Sequence, residues 1–93
     1  MATKKNPKSM KAEFSLSAPQ AKSVFLAGSF NEWNVSVHPL KQDKKGVWKI
    51  FLPLGPGRYE YRFLVDGEWR NDSNCSSFIE NPFGTVNCLK FLE

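Results

Sequence analysis

Tyr59-Glu60-Tyr61-Arg62-Phe63-Leu64-Val65-Asp66-Gly67-Glu68-Trp69-Arg70 is the stretch on which the fold turns. In an extended chain Tyr59, Tyr61, Phe63 and Val65 share one face, while Glu60, Arg62 and Leu64 share the other. Asp66-Gly67 is a two-residue hairpin signal of the type I′ kind, because that turn needs positive φ at both central residues. Glu68-Trp69-Arg70 is then a short return strand. Moving toward the N-terminus, Pro53-Leu54-Gly55-Pro56-Gly57 reads as a turn. Val47 to Leu52 reads as a strand with Trp48, Ile50 and Leu52 on one face. Residues 29–45 form a long polar connection holding Phe30, Trp33, Val35 and Val37, with room for one short strand. Ser23 to Ala27 is a nearly all-apolar strand stopped by Gly28. Ala12, Phe14 and Leu16 alternate with Lys11, Glu13, Ser15 and Ser17 in a half-buried strand, ended by Ala18-Pro19-Gln20. Toward the C-terminus, residues 71–82 are polar and irregular, and Thr85 to Leu92 is the last strand.

About seven short strands without a helix predict an all-β protein, an antiparallel immunoglobulin-like β-sandwich. The antibody pattern of Cys, Trp and Cys is missing. Ninety-three residues suffice for one core. Residues 11–93 are expected to form that domain and residues 1–10 a disordered basic arm. Eight of the thirteen aromatic residues are Phe, a bias that suits strands.

Thirteen Lys and Arg against nine Asp and Glu give a net charge of +4. Lys4, Lys5, Lys8 and Lys11 supply all of that excess; the rest of the chain balances. The positive charge belongs to the arm, so a basic nucleic-acid face is not expected. No apolar stretch follows Lys5, so no secretory signal is read, and the longest apolar runs, about four residues, are too short to cross a membrane. Cys75 and Cys88 read as free thiols in a reducing cytoplasm, since small secreted scaffolds carry more cysteines.

Catalytic signals are weak. His38, the single histidine, lies beside Pro39 and reads as a solvated loop residue with no marked partner. Cys75, Cys88 and His38 lack the spacing and the fourth ligand of a zinc site. Asp66 is taken up by its turn, and Gly55-Pro56-Gly57 lacks the lysine and helix of a phosphate loop. The chain is read as a non-enzyme needing no cofactor or metal.

Aromatic residues carry the stronger signal. Trp48 alternates with core residues and reads as buried. Trp33 and Trp69 sit on short polar connections that commonly leave a ring on the surface. A pair of exposed indoles suits an uncharged pyranose, whose C–H face stacks on the ring while its hydroxyls reach sideways to amide and cationic donors. Single-stranded nucleic acid would also use stacking rings, but with a basic groove along them.

Val24-Phe25-Leu26-Ala27-Gly28-Ser29-Phe30-Asn31-Glu32-Trp33, the hairpin from Tyr59 to Trp69, and Asn81-Pro82-Phe83-Gly84-Thr85-Val86-Asn87 together resemble the glycogen-binding domain of AMP-activated protein kinase β subunits. They are similar also to the N-terminal domains of glycogen branching and debranching enzymes, carbohydrate-binding module family 48. The likeness spans roughly residues 13–92. It implies an early-set immunoglobulin-like sandwich that binds α-glucan such as glycogen, starch or malto-oligosaccharide. It implies that Trp33 and Trp69 are stacking platforms, that Arg62 stands where the family has a lysine donor, and that Phe83 stands where an aliphatic residue meets the curved glucan. Thr85 and Asn87 match its polar pair. The long extensions by which kinase subunits hold other chains have no counterpart in these residues, so only the binding half of the function is implied. The alternatives are a protein–protein or scaffolding module, or an excised domain of a larger glycogen-metabolising enzyme, without significant sugar binding; a glycogen-metabolising enzyme or a kinase subunit is the partner either would have.

Asn87 shares parity with Leu89 and Phe91, which read as core. A bulge near Thr85–Asn87, for which Gly84 leaves room, would free Asn87 to the surface; without a bulge it is a satisfied inner amide and not a sugar contact.

Overall fold

The computed structural model describes residues 10–93, and the side chain of Met10 is not among what it describes. The expected arm otherwise lies outside the described residues; the backbone of Met10 already belongs to the first strand. Eight antiparallel strands follow in order: β1 (Met10–Ser17), β2 (Val24–Gly28), β3 (Lys41–Gln42), β4 (Val47–Leu54), β5 (Gly57–Val65), β6 (Glu68–Arg70), β7 (Phe78–Glu80) and β8 (Val86–Leu92). One sheet runs β1-β4-β3. The other runs β2-β5-β8-β7, with β6 also on β5. The two make the β-sandwich that the alternation predicts.

In β1, β4 and β5 the inward residues come from the faces that alternation picks out, with Ile50 and Tyr59 only partly buried, and in the all-apolar β2 the pairing with β5 selects them. Ala12, Phe14 and Leu16 of β1, Trp48 and Leu52 of β4, Val24 and Leu26 of β2, and Tyr61, Phe63 and Val65 of β5 form one cluster. Each large apolar side chain placed there contributes about 1.5–3 kcal/mol relative to exposure. Trp48 satisfies its indole N–H by donating to the Ala18 carbonyl at 2.8 Å. Asp66 and Gly67 both have positive φ, as the type I′ turn requires.

Strand β5 organises the larger sheet. One side pairs Tyr61–Val65 with β2. The other side pairs Gly57–Tyr61 with β8 and Phe63–Val65 with β6. Arg62 therefore stands where that side changes partner, and it points outward between the buried Tyr61 and Phe63.

Four expectations are corrected. Strand β4 runs on through Pro53 and Leu54, which read as turn; β3 pairs only with Trp48 and Lys49, so the edge beyond is free and a proline is tolerated there. Strand β7 was hidden in the irregular stretch because three residues carry no periodicity. Strand β8 needs no bulge. Its register with β5 turns Cys88, Lys90 and Leu92 inward and Asn87, Leu89 and Phe91 outward; the Lys90 ammonium lies 4.9 Å from the Phe14 ring centroid, a cation–π contact. Finally, Cys75 and Cys88 are joined as a disulfide, with Cα atoms 6.1 Å apart, and are not free thiols. Residues 71–77 fold back over β8, where Tyr61 Oη donates to Asp72 Oδ2 at 2.8 Å and Leu89 N–H donates to the Ser77 carbonyl at 2.9 Å. Burial and the Asp72 carboxylate both push the Tyr61 phenol well above its ordinary value.

Candidate functional site

The outward face of β5 and β8 becomes a site because two loops wall it. The first follows β2. Gly28 lies so close to β5 that a Cβ would collide with the Glu60 carbonyl oxygen and sit 2.7 Å from Phe30 ring carbons. Phe30 then anchors the loop, its ring 5.4 Å from that of Phe14. Asn31 clamps it: its Oδ1 accepts from Gly28 N–H at 3.0 Å, and its Nδ2 donates to the Leu26 carbonyl at 3.1 Å and to His38 Nδ1 at 2.8 Å. His38 is thus a half-buried acceptor bracing the loop, which corrects its expected solvated state. Glu32 and Trp33 follow in the left-handed region, with φ of 57° and 60°. That conformation is uncommon outside glycine and asparagine, and it brings the indole over the sheet.

The second wall is the turn between β7 and β8. Asn81 Oδ1 accepts from Phe83 N–H at 3.0 Å and Thr85 N–H at 3.2 Å. Asn81 N–H donates to the Thr85 carbonyl at 2.9 Å. The turn is therefore tied at its base, and Phe83 stands at its tip with 89% of its surface exposed.

Between the walls is a cleft of about 570 Å³. Trp33, Trp69, Arg62, Phe83, Thr85 and Asn87 all line it, so the six residues singled out from the sequence meet in one place. Trp33 and Trp69 have ring centroids 6.4 Å apart and planes at 72°, a corner rather than a flat floor. Trp69 is 44% exposed and Trp33 half-buried. The Arg62 guanidinium carbon lies 5.7 Å from the Trp69 ring centroid, a cation–π contact that holds both side chains.

Polar groups are linked across the floor. Arg62 Nε donates to Asn71 Oδ1 at 2.8 Å, and Arg62 Nη1 donates to Thr85 Oγ1 at 3.3 Å. Asn71 Nδ2 donates to the Val86 carbonyl at 3.1 Å, bridging the break between β6 and β8. Asn81 Nδ2 donates to Thr85 Oγ1 at 2.8 Å and to Asn87 Oδ1 at 3.0 Å. Asn87 Nδ2 donates to Glu60 Oε1 at 3.0 Å. Asn87 is the one buried polar side chain among the described residues, at 5% exposure. Valences remain after this network: the Thr85 hydroxyl proton, N–H groups of Arg62 and lone pairs on Glu60. Such a set can bind hydroxyl groups without performing a reaction. No cluster of His, Cys, Asp or Glu among the described residues could hold a metal ion.

Three members of the site escape a reading by motif. Glu60 shares the outward parity of Arg62, a signal that was available. Asn81 begins an Asn-Pro-Phe-Gly turn, also a local signal. Asn71 carries none, because its role depends on the gap between two strands.

A β-sandwich with an aromatic cleft rimmed by amides and one guanidinium is an arrangement suited to a carbohydrate-binding module. Residues 11–91 match the family described as the glycogen recognition site of AMP-activated protein kinase, and the chain belongs to that family. It is 46% identical over 52 residues to rice (Oryza sativa subsp. japonica) Protein FLOURY ENDOSPERM 6, chloroplastic, covering 56% of this chain and 10% of that protein. It is 35% identical over 68 residues to the human 5'-AMP-activated protein kinase subunit beta-2, covering 73% of this chain and 24% of the subunit. It is 36% identical over 87 residues to the 1,4-alpha-glucan branching enzyme GlgB of Paraburkholderia xenovorans, covering 86% of this chain and 12% of the enzyme. The chain thus spans between about a tenth and a quarter of these relatives' lengths. No helix among the described residues is long and apolar enough to cross a membrane.

Proposed function

We propose that the domain binds α-glucan, as glycogen, starch or malto-oligosaccharide, without catalysis. The observation that carries this reading is that Trp33 and Trp69 form one corner of the cleft, 6.4 Å apart, with Arg62 stacked beside Trp69. A glucose ring laid on either indole would present hydroxyls to Arg62 and Thr85, while Phe83 bears on the chain from the opposite wall and the nearly buried Asn87 braces the floor beneath. Glu60 offers an acceptor, and it positions Asn87. Glu60 and Glu80 against the single Arg62 leave the cleft with no positive excess, which favours a neutral ligand over phosphate-bearing nucleic acid.

Aromatic platforms of this size support modest affinity, about micromolar to millimolar. Calorimetric titration with maltoheptaose or β-cyclodextrin should give heat and a tryptophan fluorescence shift, both abolished by Trp33→Ala in a folded chain. Absence of both signals at millimolar sugar would refute the proposal. Association with a kinase subunit or a glycogen-metabolising enzyme belongs to the same proposal, since the human and bacterial relatives are by name such proteins. A cytoplasmic setting belongs to it as well. The rice relative is by name chloroplastic, and fractionation of the cell that makes this chain decides between the two.

A further inference from the structure

Three exposed phenylalanines lie outside the cleft: Phe51, Phe78 and Phe91. Phe51 is on the opposite sheet with the Lys11 ammonium 4.7 Å from its ring centroid. Phe78 pairs with the inward-facing Cys88, so it has the parity of the core side. Phe91 alone shares the face of the cleft. It is 59% exposed; β7 pairs only with Val86–Cys88, so beyond Cys88 the edge of β8 away from β5 has no strand paired to it among the described residues.

The register makes Phe91 part of a repeat. Along β5 the outward residues are Arg58, Glu60, Arg62 and Leu64. Trp69 is paired with Leu64, next to Arg62; Leu89 is paired with Glu60; Phe91 is paired with Arg58. An aromatic ring beside an arginine thus occurs at both ends of one continuous face. Directly paired side chains have Cβ atoms about 4.5–5.5 Å apart, so the Arg58 guanidinium can reach Phe91 or a ligand resting on it. Asn87 and Phe91 are separated by roughly 13 Å along the strand, the span of a few sugar rings. Leu89 between them is partly covered and gives an apolar floor.

We propose that the binding surface extends beyond the cleft along β8, and that Phe91 with Arg58 forms an outlying subsite for an α-glucan chain whose first rings occupy the Trp33–Trp69 corner. The inference rests on the glucan reading of the cleft and adds a length preference to it. The domain grips a long linear chain more tightly than an oligosaccharide that only fills the cleft.

Calorimetry with malto-oligosaccharides of increasing length, and then with soluble amylose, tests this on the whole chain. Per-site affinity of the unmodified chain should keep rising after the cleft is filled. Phe91→Ala should bind short oligosaccharides normally and lose about three- to tenfold for long ones, the worth of one aromatic contact. Arg58→Ala should lose part of the same increment, and serves as an independent variant. A plateau once the cleft is filled, or long-chain binding untouched in both variants, overturns the subsite while the cleft reading stands. Failure of every length to bind overturns the cleft reading and this one with it.

Discussion

The outer faces of the two sheets obey the same rule of alternation and come to different ends. The face of β1 and β4 carries Lys11, Glu13, Lys49 and Phe51. Its aromatic ring is covered by Lys11, and Lys49 and Glu13 meet at 4.0 Å with both side chains about half exposed. The face of β5 and β8 carries Glu60, Arg62, Asn87 and Trp69, and it is walled by the loop after β2 and the turn before β8. Its polar groups hold one another at fixed distances, and its rings are set at an angle. A sheet surface becomes a site where loops enclose it and a hydrogen-bond network fixes its side chains, because only then is a ligand met without first ordering the protein.

Variants can break this contrast. The largest effect is expected from Cys75→Ser. It opens the loop that carries Asn71 and Asp72, and a disulfide closing thirteen residues is worth about 3 kcal/mol of stability in the chain-entropy account. Denaturant unfolding with and without a dithiol reductant should give the same loss. If reduction leaves the midpoint unchanged, the loop is held by its hydrogen bonds alone.

Next comes the matched pair Trp69→Ala and Phe51→Ala. The first should cost about 2 kcal/mol of glucan binding, near thirtyfold in Kd, with little change in unfolding. The second should leave binding alone and shift stability by less than about 0.5 kcal/mol. Equal effects of the two on binding would erase the distinction between the faces.

Tyr61→Phe reaches the site only through the sheet beneath it. Losing the bond to Asp72 should cost about 1 kcal/mol of stability and leave sugar affinity within twofold. A large loss of affinity would mean that the 71–77 loop, through Asn71, governs Arg62 more tightly than its two hydrogen bonds suggest.

The smallest effect concerns acid. Lys22 and Ser23 backbone N–H groups donate to Asp66 Oδ1 at 2.8 and 2.9 Å and hold its carboxyl below the usual range. A lowered folded-state value contributes stability above the unfolded value, near pH 4, and loses it as pH falls through the folded one. Asp66→Asn keeps an acceptor oxygen in the turn. It should lower Tm slightly at neutral pH and leave it unchanged at strongly acid pH, so that the acid limb of Tm against pH is flatter.

Much of this architecture was legible in the chain. Period-two alternation marks Phe14, Phe63 and Val65 as inward, and burial of apolar area enforces it. Asp66-Gly67 names its own turn because few residues tolerate both φ values. The conformation of Trp33 was not legible, since a left-handed tryptophan contradicts local preference and persists only under the clamp of Asn31 and Gly28. Leu89 and Phe91 misled because apolar character was taken for inwardness; the register of β8 against β5 assigns them outside.

What the sequence determined by itself was therefore local and periodic: the strands, the hairpin, and the residue types able to meet a sugar. Which side of β8 faces out, that Cys75 reaches Cys88, and that Asn71 bridges β6 and β8 to hold Arg62 were decided only by tertiary structure. Each of these joins residues that no spacing rule connects, and their positions follow from how separate strands pair within one sheet.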